Sequence, residues 1–147
     1  MIRGVLLDTG PLVAALNRHD TWHEWAKAQW MRIEPPMYTC EAVLTEACFL
    51  MQNHAQCGHA ILELVKRKII VPVFHADQHH IEILRLMKKY SDQPMSFADA
   101  CLVRMSEVYP ESNVFTLDNH FHVYRRQGRR RIPLIIPASD SSCSGKQ

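Results

Sequence analysis

Short apolar runs of strand length alternate along this chain with longer stretches of helical periodicity, and that alternation limits the folds open to it. Residues 5–7 (Val-Leu-Leu) end at Asp8 and pass through Thr9, Gly10 and Pro11 into a helical stretch, the pattern of strand, turn and helix. A helix is expected over 19–33, with Trp22, Trp25 and Trp30 on one face, stopped by Pro35 and Pro36. A brief strand over 37–40 leads into helices over 41–53 and 55–68. The β-branched run 69–74 reads as a strand, followed by a helix over 75–90 with Ile81, Leu84, Leu86 and Met87 at helical spacing. After Asp92, Gln93 and Pro94 come a helix over 96–107, a strand over 113–117, a short helix over 119–126 and a last strand over 134–136 between Pro133 and Pro137. Strands separated by helical crossovers predict an α/β fold, a mostly parallel sheet with helices on both faces. With 147 residues, 47% of them hydrophobic, the chain fits a single domain over 1–137. The tail over 138–147 is rich in Ser, has no apolar periodicity, and is expected to be disordered.

Composition excludes several classes. A net charge of +2 does not announce a nucleic-acid partner, so any basic surface must be local. Five cysteines (Cys40, Cys48, Cys57, Cys101 and Cys143) form no CxxC pair and leave one thiol over in any pairing, which fits reduced thiols and a cytoplasmic location. No continuous apolar stretch approaches the roughly 20 residues of a membrane-spanning helix, and the start MIRGVLLDTG has no signal-peptide character.

Four acids stand out by position. In a parallel sheet ligands bind outside the carboxyl ends of the strands, and Asp8 and Asp118 each follow a strand directly. Either one also suits the cap of the helix that follows. Asp99 stands three residues after Ser96, the spacing of a capping box. Glu46 is the one charge between Ala42 and Met51, on a helix face shared with Val43, Ala47 and Leu50. A carboxylate on such a stripe needs a cation or a buried donor, because desolvating it unpaired costs several kcal/mol. Converging carboxylates repel unless protonated or bridged by a cation, and their oxygens suit Mg²⁺ or Mn²⁺.

The ordered set VLLDTGPLVAAL, VLTEACFL, SFADACLV and TLDNHF resembles the PIN-domain family, and within it the VapC-type toxins of bacterial toxin-antitoxin pairs. The resemblance runs from Ile2 to Pro137. It implies that Asp8, Glu46, Asp99 and Asp118 form the family's acidic quartet, catalytic and metal-binding, with Thr116 as a supporting polar residue. It further implies a Mg²⁺- or Mn²⁺-dependent endoribonuclease, with RNA as substrate, a cognate antitoxin as partner and a homodimer as assembly. A groove near the tryptophan helix would receive the antitoxin or the second protomer. The many histidines and the Ser/Cys-containing tail fall outside that pattern.

Phosphate contacts are expected from Arg125, Arg126, Arg129, Arg130 and Arg131, and from Lys66, Arg67 and Lys68, against the plainer reading of solvated connections. The three tryptophans read as core or protein interface rather than as a base-stacking platform. Nine histidines raise zinc, but there is no HExxH pattern and no cysteine ligand spacing, and no GxSxG elbow points to a hydrolase triad. The alternatives to a toxin are a housekeeping PIN nuclease of RNA processing and a non-catalytic binding module that keeps the fold.

Overall fold

The computed structural model describes residues 1–139, so the expected tail lies, apart from Ala138 and Ser139, outside the described residues. Five strands form one sheet in the order β3-β2-β1-β4-β7: β1 Val5–Leu7, β2 Met37–Cys40, β3 Ile70–Phe74, β4 Asn113–Phe115 and β7 Leu134–Ile135. Every pairing in it is parallel. Val5, Leu6 and Leu7 are all fully buried although successive side chains point to opposite faces, so both faces of the central strand are covered. The covering helices are α1 Thr9–Leu16, α2 His23–Trp30, α3 Glu41–Leu50, α4 Cys57–Lys66, α5 His80–Lys89 and α6 Phe97–Val108. Pro11 sits in the first turn of α1, where its missing N–H costs nothing. Within α6 eight residues are buried, from Ala98 to Ser106, which makes it the central helix of the core. No helix among the described residues is long and apolar enough to cross a membrane.

Three expectations change. The tryptophan helix begins at His23 rather than residue 19, because the Asp20 carboxylate accepts the Trp22 amide at 2.8 Å and holds it in a turn. Trp22 therefore leaves the face shared by Trp25 and Trp30, which pack on Phe115. Leu50 is 60% exposed, since the buried face of α3 runs through Val43 and Ala47 and turns away before the helix ends. The helix expected over 119–126 is a 3-10 turn of Asn119–His122 only, and the basic run is an antiparallel ribbon, β5 Arg125–Arg126 with β6 Arg130–Arg131. Gln127 and Gly128 at its turn adopt positive φ, which reverses the chain where a helix would have continued.

Candidate functional site

All five strands of the sheet point the same way, so their carboxyl ends share one edge, and the helix termini there meet it. Asp8 ends β1 and caps α1, its Oδ1 accepting the Thr9 amide at 2.8 Å. Asp118 follows β4 and caps the 3-10 turn, its Oδ1 accepting the His120 amide at 2.9 Å. Asp99 completes a capping box, its Oδ2 accepting the Ser96 amide while the Ser96 hydroxyl accepts the Asp99 amide. Capping thus accounts for the local conformation of all three aspartates. It also delivers three carboxylates to one edge.

Hydroxyl groups join them. Thr116, fully buried, donates to Asp8 Oδ2 at 2.7 Å and accepts the Asp118 amide at 2.9 Å. Thr9 donates from Oγ1 to Glu46 Oε2 at 2.8 Å, bridging α1 to α3. Tyr124, also fully buried, donates to Asp99 Oδ2 at 3.3 Å. A half-exposed His120 ring places Nδ1 2.7 Å from Asp118 Oδ1. Glu46 is half-buried, not sunk in an apolar stripe, and its partner is the Thr9 hydroxyl.

The electrostatics tie the quartet together. Burial pushes the Asp8 carboxyl up to about 7; bonds from Thr116 and the Thr9 amide oppose this, and the charges of Asp99 and Asp118 add to it. Asp99 is raised by burial, against its bond from the Ser96 amide, and further by the charges of Asp118 and Glu46. Burial and then the Asp99 charge push the Tyr124 phenol well above its ordinary range, so it stays a donor. Among the described residues no three His, Cys, Asp or Glu side chains are already drawn into a metal-holding group. The donor set nonetheless fits a hard divalent cation: the acceptors are carboxylate oxygens, burial and then neighbouring charge raise the proton affinity of Asp8 and Asp99 that a cation would replace, and Mg²⁺ is held by one or two carboxylates while keeping several waters.

Sequence reasoning brought Asp8, Asp99 and Asp118 to one sheet edge with Glu46 facing in from its helix and, by resemblance, Thr116 in support; in the structure the five are linked by these bonds and charges. It missed Thr9, whose one signal was adjacency to Asp8, and Tyr124, which carried none. The basic residues divide. The Arg125 guanidinium donates to the carbonyls of His122, Val123 and Tyr124 and is thereby committed to its own backbone. Arg129, Arg130 and Arg131 are exposed on a ribbon pinned to α5 and α6 by Lys89 Nζ on the Gly128 carbonyl and the Gln127 amide on Glu107. Lys66, Arg67 and Lys68 precede β3 and so lie at the opposite edge of the sheet from the acids. His23 and His80 are held by the carbonyls of Ala14 and Asp77, and His79 by the Arg104 guanidinium.

A sequence model of the PIN domain matches residues 5–127. Among solved structures, the chain resembles VapC20 of Mycobacterium tuberculosis, a sarcin-ricin loop cleaving toxin, with a TM-score of 0.65 and 21% identity over 78% of this chain and 89% of that one. Among curated proteins, Integrator complex subunit 1 of Drosophila melanogaster is 36% identical over 63 residues, which is 43% of this chain and 3% of that protein.

Proposed function

The chain belongs to the PIN domain family, and from that premise we propose that it is a Mg²⁺- or Mn²⁺-dependent endoribonuclease, the toxin of a toxin-antitoxin pair. The observation that carries the reading is the acid edge itself: four carboxylates, each held by hydroxyl or amide donors, among which Asp8 and Asp99 are raised by burial and further by the charge of their acidic neighbours. A fold that needed these acids only as caps would not also bury Asp8 and Asp99 against like charge.

Asp8, Asp99 and Asp118 would hold the ion, and Glu46, fixed by Thr9, would orient the attacking water. Thr116 fixes the spacing between Asp8 and Asp118 by bonding to both. When bound, a divalent ion would supply positive charge against the phosphate and would make water easier to deprotonate, and so a stronger nucleophile, near neutral pH. In-line attack by water at phosphorus expels the 3′-oxygen and leaves a 5′-phosphate, with no covalent link to the protein. Arg129, Arg130 and Arg131 would hold the RNA backbone along the ribbon. The antitoxin's place is supported by an apolar cavity of about 210 Å³ between α1, α2 and α4, lined by Leu16, Trp30, Met31 and Leu64. A second copy of the chain has a candidate seat on α5, where Ile81, Leu84 and Met87 form an exposed apolar row.

The test is cleavage of single-stranded RNA by purified protein with Mg²⁺ or Mn²⁺. Asp8→Asn and Asp99→Asn should each lose at least about a hundredfold in rate while keeping their circular dichroism, since each removes charge stabilisation of the transition state. Cleaved ends should carry 5′-phosphate. Equal cleavage by the variants, or cleavage that survives EDTA, overturns the assignment.

A further inference from the structure

Of three tryptophans, two are absorbed by the core and one is not. Trp25 and Trp30 pack on Phe115, with ring centroids 5.7 and 6.4 Å away. Trp22 stands edge-on to Trp25 at 6.3 Å and 79°, yet remains 43% exposed. It borders a cavity of about 220 Å³ whose wall includes Leu117, Asn119, Ile136, Pro137 and Ser139. Leu117 and Asn119 are the two chain neighbours of Asp118, so the cavity adjoins the acid edge. Its floor is fixed: Leu117 lies against Gly10 in the first turn of α1, where an added Cβ would meet it at 3.1 Å. Trp22 is fixed too, by its amide on Asp20 and its edge contact with Trp25.

We propose that this cavity is a nucleobase subsite, in which Trp22 stacks one unpaired base of the RNA beside the scissile phosphate and the Asn119 amide meets that base's polar edge. The inference rests on the ribonuclease reading. Its chemistry is that of single-strand recognition: a base splayed from its neighbours stacks on an aromatic ring, and an amide that both donates and accepts pairs with the edge. The cavity's size suits one planar ring. Its mixed polar and apolar wall suits a base better than an apolar side chain of a protein partner, for which the groove beside α2 is the drier surface. The arginine ribbon contributes charge and no base selectivity, so Trp22 and Asn119 would determine which nucleotide lies next to the cut.

Stacking and phosphate pairing leave different signatures. Removing a stacking ring weakens binding without changing how many counterions are released, whereas removing a cation that pairs with a phosphate lowers the salt slope. Binding of a labelled single-stranded RNA is therefore measured in EDTA across a salt series, for wild type, Trp22→Ala, Trp22→Phe and Asn119→Ala. Trp22→Ala should weaken binding about tenfold or more with an unchanged slope, and Trp22→Phe should restore most of it. Oligonucleotides carrying one abasic position should reveal a site where wild type is weakened as much as Trp22→Ala is, and where the two effects do not add. Should Trp22→Ala fail to fold, Trp22→Phe and Asn119→Ala against the abasic series still decide. Variants that bind every oligonucleotide as wild type does, while Mn²⁺-dependent cleavage persists, refute the subsite and leave the nuclease standing. No RNA binding and no cleavage by wild type refutes both.

Discussion

Both oxygens of Asp8 accept hydrogen bonds, from the Thr9 amide and the Thr116 hydroxyl, yet burial and neighbouring charge still raise its carboxyl to about 7. Thr116 therefore works against a penalty it does not overcome, and its contribution depends on whether Asp8 is ionised. Thr116→Val leaves Asp8 Oδ2 and the Asp118 amide without their buried partner and should cost about 1–3 kcal/mol of stability. The bond favours the ionised carboxylate, so the loss should be larger at pH 8 than at pH 5. Melting curves of Thr116→Val and Thr116→Ser at both values check this, with Ser retaining the donor; a loss independent of pH would show that Thr116 serves packing alone. These residues differ in how legible they were. Asp8, Asp99 and Asp118 each announce themselves beside a local turn or cap signal. The Thr9–Glu46 and Tyr124–Asp99 bonds join positions 37 and 25 residues apart, and only the packing of α1 on α3 and of the segment after Asp118 on α6 brings them together.

Among the elements, the β5–β6 ribbon departs most from what its sequence suggested. Arg125 stands opposite Arg131 and Arg126 opposite Arg130, and like charges directly across a ladder are unfavourable. The ribbon forms because Gln127 and Gly128 take positive φ and because its tip is bonded to Lys89 and Glu107. It runs beside α6 from Asp99, which meets Tyr124, to Glu107, eight residues and about 12 Å of helix rise away. A polyanion lying along that path would relieve the repulsion. Arg129, Arg130 and Arg131 changed together to Ala should weaken RNA binding and lower its salt slope by roughly one counterion for each phosphate no longer paired with an arginine. An unchanged slope would make the ribbon structural. The strands of the sheet were readable because each apolar run is bounded by turn residues, whereas a two-residue strand of arginines carries no apolar signal and depends on bonds made elsewhere. The start of α2 was hidden for a similar reason: the Asp20 side chain competes with the helix for the Trp22 amide, and helical periodicity does not register that competition.

For the whole molecule, the burial of Asp8 and Asp99 at the acid edge makes the metal-free protein sensitive to pH in an unusual direction. The Asp8 carboxyl rises from its ordinary 3.8 to about 7 on folding, and Asp99 rises as well, so the folded chain binds more protons than the unfolded one across that interval. Stability is then fully present below about pH 4, falls as pH climbs toward about 7, and levels off above it. For Asp8 alone the fall is on the order of 4 kcal/mol, at about 1.4 kcal/mol per pH unit. A divalent cation that binds the ionised carboxylates of the folded state alone must oppose this decline, most strongly at and above neutral pH. Asp8→Asn removes the titrating group while keeping its shape, so it should stabilise the metal-free protein near pH 8, flatten the pH dependence and blunt the response to Mg²⁺. Melting temperatures of wild type and Asp8→Asn between about pH 4 and pH 8, with and without Mg²⁺, measure all three effects. Wild-type stability that rises over this interval, or a Mg²⁺ shift equal in both proteins, would remove the acid edge as the place where the cation acts.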